Sequence, residues 1–346
     1  MPDISEYLLH DGKYYFDNAA TTKMSIEALR VYNETAEKWF MNPMSYKDFD
    51  PEIERLLEGA REHVAEFVGG NPNKDKVIFT SGATESINLL LKGYFLENFQ
   101  RKRKIITSQI EHKAVVETCK YLETIGAELE YVNITSEGIV DYDHLESIVD
   151  SETLFICLMH LNNETGEVSD LERIYNITQA SNTKFFTDTT QSITKLKVNA
   201  KYFDACIGSA HKFHGPKGVG FLFMKDVGII TPLKHGGGQE GFIRPGTHDL
   251  PNVLSMQVAL SEVKTKQYKI YFDQIIRLMN SESFQFELVG MKSHILLIDM
   301  DSYYLNELKK LMIYSRGSAC SNGLMEQNTI YKQLYPQNES IIRISL

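Results

Sequence analysis

The sequence predicts an α/β protein, with a large domain on a mostly parallel sheet covered by helices and a smaller α+β domain after it. Three observations predict it. From Lys76 to Met224 short apolar runs alternate with amphipathic helical patterns, the signature of repeated βα units with right-handed crossovers. The run Thr153–Met159 is apolar throughout, as a strand covered on both faces should be. After about Pro251 the pattern changes to long helices and short strands. A chain of 346 residues readily divides in two. The reading assigns 17–250 to the large domain and 1–16 with 251–346 to the small one.

In chain order, YYFDNAATT at 14–22 reads as a short strand entering a polar turn. A helix follows from about Ser25 to Phe40, and Asn42-Pro43 ends it, because the residue before proline is pushed away from helical geometry. The next helix spans about Asp50 to Val68. Asp50 is its expected cap, Pro51 its first residue and Gly69-Gly70 its stop. Strands are then expected at Lys76–Thr80, Lys104–Thr107, Leu129–Val132, Thr153–Met159, Lys184–Thr187, Ala205–Gly208 and Val219–Met224. Helices are expected from Ser81 to about Glu97, from near His112, over Tyr142–Val149 and over Leu171–Ala180. One long amphipathic helix is expected from Pro251 to about Asn280, then strands at His294–Asp299 and Ile341–Ser345.

Composition narrows the function classes. The formal net charge of −10 argues against a broad nucleic-acid footprint, and the basic run Arg101–Lys104 reads as a solvated helix end. No apolar stretch reaches the ~20 residues of a membrane span, and the N-terminus lacks the charged-then-apolar layout of a secretory signal. The expected location is the cytoplasm. The four cysteines are far apart and show no CxxC spacing, so no zinc site or disulfide framework is suggested. Cys119, Cys157 and Cys206 lie in apolar patterns and read as core. Cys320 lies in GSACSNG, where small neighbours are a poor setting for a buried structural thiol. It reads either as a reactive thiol or as a free surface cysteine.

Several residues carry candidate chemistry, and each also has a plain reading. Ser81-Gly82-Ala83-Thr84 sits where a strand becomes a helix. Free N–H groups and the helix dipole make such a turn a phosphate cradle, though alone it also reads as a helix cap. Asp188 ends a strand, where a carboxylate can face a cationic ring nitrogen or simply close a turn. Gln191 can donate a hydrogen bond into the same region. His112 begins a helix. Lys212 stands in SAHKFHGPKGVG, where a desolvated lysine becomes a usable amine nucleophile. A phosphate cradle, a strand-end acid and a lysine in a glycine-rich turn, in that order on a parallel sheet, make a pyridoxal phosphate site.

Nine motifs in order extend this reading over nearly the whole chain. They are YFDNAATT (15–22), FTSGATES (79–86), EHKAV (111–115), HLNNETG (160–166), DTTQS (188–192), SAHKFHGPKGVG (209–220), GGGQEGFIRPGT (236–247), GSACSNG (317–323) and IRISL (342–346). With them the chain resembles the cysteine desulfurases of the NifS/IscS type, within the class V, fold type I pyridoxal phosphate enzymes. The resemblance implies that Lys212 holds the cofactor as a Schiff base. Ala83, Thr84, Ser209 and His211 would bind its phosphate, and Thr247 would reach the phosphate of the partner subunit in a homodimer. Asp188 would pair with the pyridine nitrogen, Gln191 would contact the ring hydroxyl, and His112 would stack on the ring and move protons. Asn163 would line the ring and substrate region, and Arg343 would clamp the substrate carboxylate. In the implied reaction L-cysteine displaces Lys212, which then removes the α-proton. The Cys320 thiolate attacks the substrate sulfur. Alanine leaves and a persulfide stays on Cys320, for transfer to an acceptor protein in iron–sulfur cluster, thio-tRNA or sulfur-cofactor synthesis.

The chain also departs from the family pattern. It ends at Leu346, directly after IRIS, and the stretch between Thr247 and Gly317 is short. A histidine is missing after Asn42-Pro43-Met44-Ser45, and Gly241 replaces a basic residue. These changes point to the small domain, the dimer rim and acceptor docking, and the short end puts the hold on Arg343 in question. A selenocysteine lyase or an aminotransferase of the same fold is the alternative, and a weak scaffold that binds a sulfur-relay partner is a third reading. Cys320 favours the desulfurase, and the intact Lys212, Asp188 and His112 argue against the scaffold.

Overall fold

The first helices of the chain start where side chains or proline suit a helical first turn. After β1 (Tyr14–Tyr15), the Ser25 hydroxyl accepts from the Ala28 N–H at 3.0 Å and opens α1 (Ile26–Lys38). Asn42-Pro43 does not end this helix. α1 stops at Lys38, and Pro43 instead begins the short α2 (Pro43–Tyr46), since proline suits a first helical turn. α3 (Glu52–Phe67) starts one residue later than expected: Pro51 takes the cap position without a side-chain bond, and the Asp50 carboxylate, one residue before it, accepts from the Glu52 N–H at 2.9 Å. These descriptions come from a computed structural model that describes residues 3–46, 49–225, 228, 230–263, 266–316, 329–338 and 340–346.

Strand and helix then alternate as the apolar runs predict. They are β2 (Lys76–Thr80), α4 (Ala83–Asn98), β3 (Lys104–Ser108), α5 (Lys113–Thr124), β4 (Glu128–Val132), α6 (Tyr142–Ile148), β5 (Thr153–Cys157), α7 (Leu171–Ser181), β6 (Lys184–Asp188), β7 (Ala205–Ser209) and β8 (Gly220–Met224). The strands form one sheet in the order β2-β8-β7-β6-β5-β3-β4. Its pairings are parallel except those of β8, which runs antiparallel to both neighbours. Every residue of β5, β7 and β8 is buried, as both faces are covered by helices. Cys119, Cys157 and Cys206 are buried in these layers. Each fully buried phenylalanine here, such as Phe155, Phe185 and Phe221, contributes about 2 kcal/mol.

Beyond β8 come α8 (Leu250–Ser261), α9 (Tyr268–Ser281), β9 (Glu287–Lys292), β10 (Ile295–Asp299), α10 (Ser302–Leu311), β11 (Met312–Ile313), α11 (Thr329–Leu334) and β12 (Ile341–Ser345). The single helix expected over 251–280 is therefore two. α8 packs on α1 and α3 and buries Leu250, Val253, Met256 and Leu260 in the core of the large sheet. α9 buries Tyr271, Phe272, Ile275 and Met279 in a second core with Leu296, Ile342 and Ile344. One straight helix could not press its apolar stripe into both. The second core surrounds a three-stranded antiparallel sheet, β12-β10-β9. β9 is absent from the sequence reading because its residues are mostly exposed and carry no apolar alternation. β1 pairs in parallel with β11 and so ties the N-terminal segment to this second unit.

Candidate active site

Strands β3, β5, β6 and β7 end on the same side of the sheet, where open α/β sheets place their ligands. A cavity of about 440 Å³ lies there. Ten of the predicted residues line it: Ala83, Thr84, His112, Asn163, Asp188, Gln191, Ser209, His211, Lys212 and Arg343. Thr247 is exposed and does not line it. Cys320 lies outside the described residues.

The cradle forms at the start of α4. Gly82 has φ +147°, ψ 178°, a backbone region open to glycine alone, and no side chain caps the helix from this position. The first-turn N–H groups thus keep their donor capacity, backed by the helix dipole. Glycine is also required across the gap. A Cβ on Gly220 would lie 2.7 Å from Gly82 Cα and 2.5 Å from the Gly208 carbonyl oxygen. Glu85, one turn into the helix, accepts from Ser81 N–H at 2.6 Å, from Lys234 at 2.6 Å and from Arg244 at 3.1 Å. Burial alone would raise its carboxyl, but these donors hold it down at about 2. Lys234 and Arg244 therefore stand beside the cradle, both bonded to Glu85.

Lys212 ends a short turn after β7, and its ammonium donates to the Ala19 and Ala20 carbonyls at 2.6 and 2.8 Å. The neighbouring His211 ring lies 3.1 Å from the Thr21 hydroxyl. Burial, then the charges of Lys212 and Lys217, lower its pKa to about 4, so it is neutral at pH 7. Asp188 is buried at the end of β6, and one of its oxygens accepts from Thr190 N–H at 2.8 Å. The Gln191 amide nitrogen donates to the Ala19 carbonyl at 2.8 Å, and its oxygen lies 3.2 Å from Nε2 of His294. His112 caps α5 through Nδ1, which accepts from Ala114 N–H at 3.1 Å. That bond places the proton of the neutral ring on Nε2.

Arg343 is 1% exposed on β12. Nη2 donates to Asp17 at 2.8 Å and Nη1 to the Asn163 carbonyl at 2.7 Å, while Nε is buried without a partner among the described residues. Burial pushes the Asp17 carboxyl up, and the Arg343 charge opposes it. The hold on Arg343 that the short end put in question is supplied by these two contacts. A buried guanidinium that lines the cavity and keeps an unmet N–H suits a planar carboxylate.

Sequence reasoning missed Asp17, Glu85, Lys217, His294 and the carbonyls of Ala19 and Ala20. Backbone acceptors carry no residue-type signal, although DNAATT marks their position. Asp17 and Arg343 stand 326 residues apart, and nothing local joins them.

A lysine in the cavity, a buried strand-end acid and an uncapped helix start together define a pyridoxal-phosphate-dependent protein of the α/β type. The comparisons agree. The family model "Aminotransferase class-V" matches residues 14–346. A cysteine desulfurase IscS of Dictyoglomus turgidum is 33% identical over 342 residues, covering 91% of this chain and 84% of the relative. A solved structure described as SspA in complex with cysteine is similar at TM-score 0.86 and 29% identity, over 96% of this chain and 98% of that one. A NifS-like protein is similar at TM-score 0.84 and 32% identity, over 96% and 93%. The chain belongs to the class V aminotransferase family, among its NifS/IscS-type cysteine desulfurases.

Proposed function

We propose that this chain is a pyridoxal-phosphate-dependent cysteine desulfurase, converting L-cysteine to L-alanine and passing the sulfur on through Cys320. The observation that carries the site assignment is the meeting of Lys212, Asp188, Arg343 and the α4 start in one cavity. When bound, the cofactor supplies an electron sink for the substrate's α-carbon.

The residues divide the work by position. The N–H groups of Ala83 and Thr84, with Ser209 and neutral His211, hold the phosphate. Asp188 would hold a proton on the ring nitrogen, and Gln191 would donate to the ring hydroxyl. Asn163 lines the ring and substrate region. Arg343 binds the substrate carboxylate through N–H donors not committed to Asp17 or Asn163. Lys212 would anchor the cofactor and its amine would serve as the base for the α-proton. His112, whose Nδ1 accepts from Ala114 N–H, would offer Nε2 for proton transfer in the cavity. The Cys320 thiolate attacks the substrate sulfur: an S–S bond forms, the C–S bond breaks, and its electron pair stays with the carbon skeleton, which takes up a proton to become alanine. A sulfur-acceptor protein then receives the persulfide sulfur.

A homodimer is part of this reading. Phe40, Phe49 and Phe242 are 81%, 82% and 74% exposed, and a partner subunit would cover such rings. The exposed Thr247, in the same segment as Phe242, would serve the partner's phosphate. A cytoplasmic setting also belongs to this reading. Among the described residues no helix is long and apolar enough to cross a membrane.

The test is incubation with L-cysteine and a reductant, following sulfide, alanine and the visible spectrum. The wild type is expected to be yellow and to release sulfide and alanine in equal amounts. Lys212→Ala should lose the band and the activity, whereas Cys320→Ala should keep the band and lose sulfide release. Full turnover by Cys320→Ala on selenocysteine but none on cysteine would favour a selenocysteine lyase. A yellow protein that only exchanges amino groups would favour an aminotransferase.

A further inference from the structure

Gln191 and Lys212 share one acceptor. The Gln191 amide nitrogen and the Lys212 ammonium both donate to the Ala19 carbonyl, at 2.8 and 2.6 Å. A carbonyl cannot face another carbonyl, so the Gln191 nitrogen must point to Ala19 and its oxygen must point the other way. There it meets Nε2 of His294 at 3.2 Å. His294 is therefore the donor, with its proton on Nε2 and Nδ1 bare. Nδ1 indeed has no partner among the described residues, and the ring is fully buried. His294 precedes β10 of the small antiparallel sheet, whereas Gln191 follows β6 of the large one. The ring is packed beside Tyr268.

We infer that His294 is a positioning residue for Gln191: together with the Ala19 carbonyl it pins both ends of the amide, so that the cavity is offered an N–H donor and not the carbonyl oxygen. One amide N–H is committed to Ala19, and the second is left for the cavity. Such a donor suits an anionic ring oxygen and rejects a second donor. Burial, then the charges of Lys195, Arg343 and Lys212, keep the ring neutral, so the bridge holds over the working pH range. The inference rests on the cofactor reading above, and it adds a residue of the small unit to the ring-facing side of the site.

The test uses the full chain loaded with pyridoxal phosphate. It compares wild type, His294→Leu, His294→Gln, Gln191→Leu and the double variant His294→Leu/Gln191→Leu. Two quantities are read: cofactor affinity and the pH midpoint of the visible band. A donor on the ring oxygen draws off its negative charge and weakens its hold on the neighbouring proton, so loss of the donor moves the midpoint up. His294→Leu is expected to weaken the cofactor about fivefold and to raise the midpoint by roughly half a pH unit, the size of one hydrogen bond. His294→Gln, which restores a donor at the Nε2 position, should stay within about twofold of wild type. Adding His294→Leu to Gln191→Leu should change little, since the two act through one bond. If His294→Leu does not fold, His294→Phe has a ring of similar shape without the donor and serves the same comparison. An unchanged midpoint in the leucine variant, a glutamine variant as damaged as the leucine one, or independent effects in the double variant would each overturn the inference. A wild type with no visible band would instead remove the cofactor reading, and this one with it.

Discussion

Arg343 is the largest fully buried side chain of the described residues, and it is ionic. Such a group is tolerated only where its donors are met, yet its Nε is not. Arg343→Lys should therefore raise KM for cysteine about 30-fold, the worth of ~2 kcal/mol from a charged hydrogen-bond pair. The visible cofactor band should survive, and steady-state kinetics with spectra will check both. Glu111, beside His112, makes a pH prediction. Its buried carboxyl accepts from the Ser108 hydroxyl and from Met159 N–H, each at 2.8 Å. Burial raises its pKa to about 8, against the Ser108 bond and helped by the charge of Asp188. A raised folded-state pKa means stability that is full below the ordinary 4.5 and is lost as pH rises through about 8. Glu111→Gln can keep both bonds, with Ser108 accepting, but cannot ionise. Thermal melts from pH 6 to 9 should fall for wild type and stay flatter for the variant. At this scale Lys212, Asp188 and His112 were legible because their chemistry resides in the side chain and their motifs are local. Glu111 was legible only as part of EHKAV, because its role depends on a desolvation that no neighbour in sequence reveals.

At the scale of elements, the strands of the large sheet were legible because burial on both faces demands unbroken apolar runs. β9 was not, because its residues are largely solvated, and the break between α8 and α9 was not, because each half is amphipathic by itself. The contact of β8 with the start of α4 was also invisible, since it joins Gly82 to Gly220. It gives a sharp prediction. Gly220→Ala puts a methyl 2.7 Å from Gly82 Cα and 2.5 Å from a backbone oxygen. Neither neighbour is a flexible side chain, so β8 or the α4 turn must shift. A loss of roughly 1–3 kcal/mol of stability is expected, with weaker cofactor binding than the stability loss alone explains. Denaturant melts and cofactor titration will separate the two.

For the molecule as a whole, the site is completed only when the two cores come together. Arg343 on β12 and His294 just before β10 come from the small sheet, and Asn163 and Gln191 follow strands of the large one. The exposed Phe242 gives the prediction at this scale. Phe242→Asp should shift a dimer toward monomer in sedimentation experiments and weaken cofactor binding, if Thr247 of each chain serves the other. A dimer unmoved by the substitution would place the interface elsewhere. The sequence by itself determined the α/β class, the strand order along the chain and the lysine, acid and helix start that the fold brings to one cavity. These are written in local periodicity and in side chains that act where they stand. Tertiary structure alone decided which partners those side chains meet: Asp17 with Arg343, His294 with Gln191, and the Ala19 carbonyl with Lys212. Each pairing spans more than 100 residues, and its strength comes from excluding water, which only the packed chain can do.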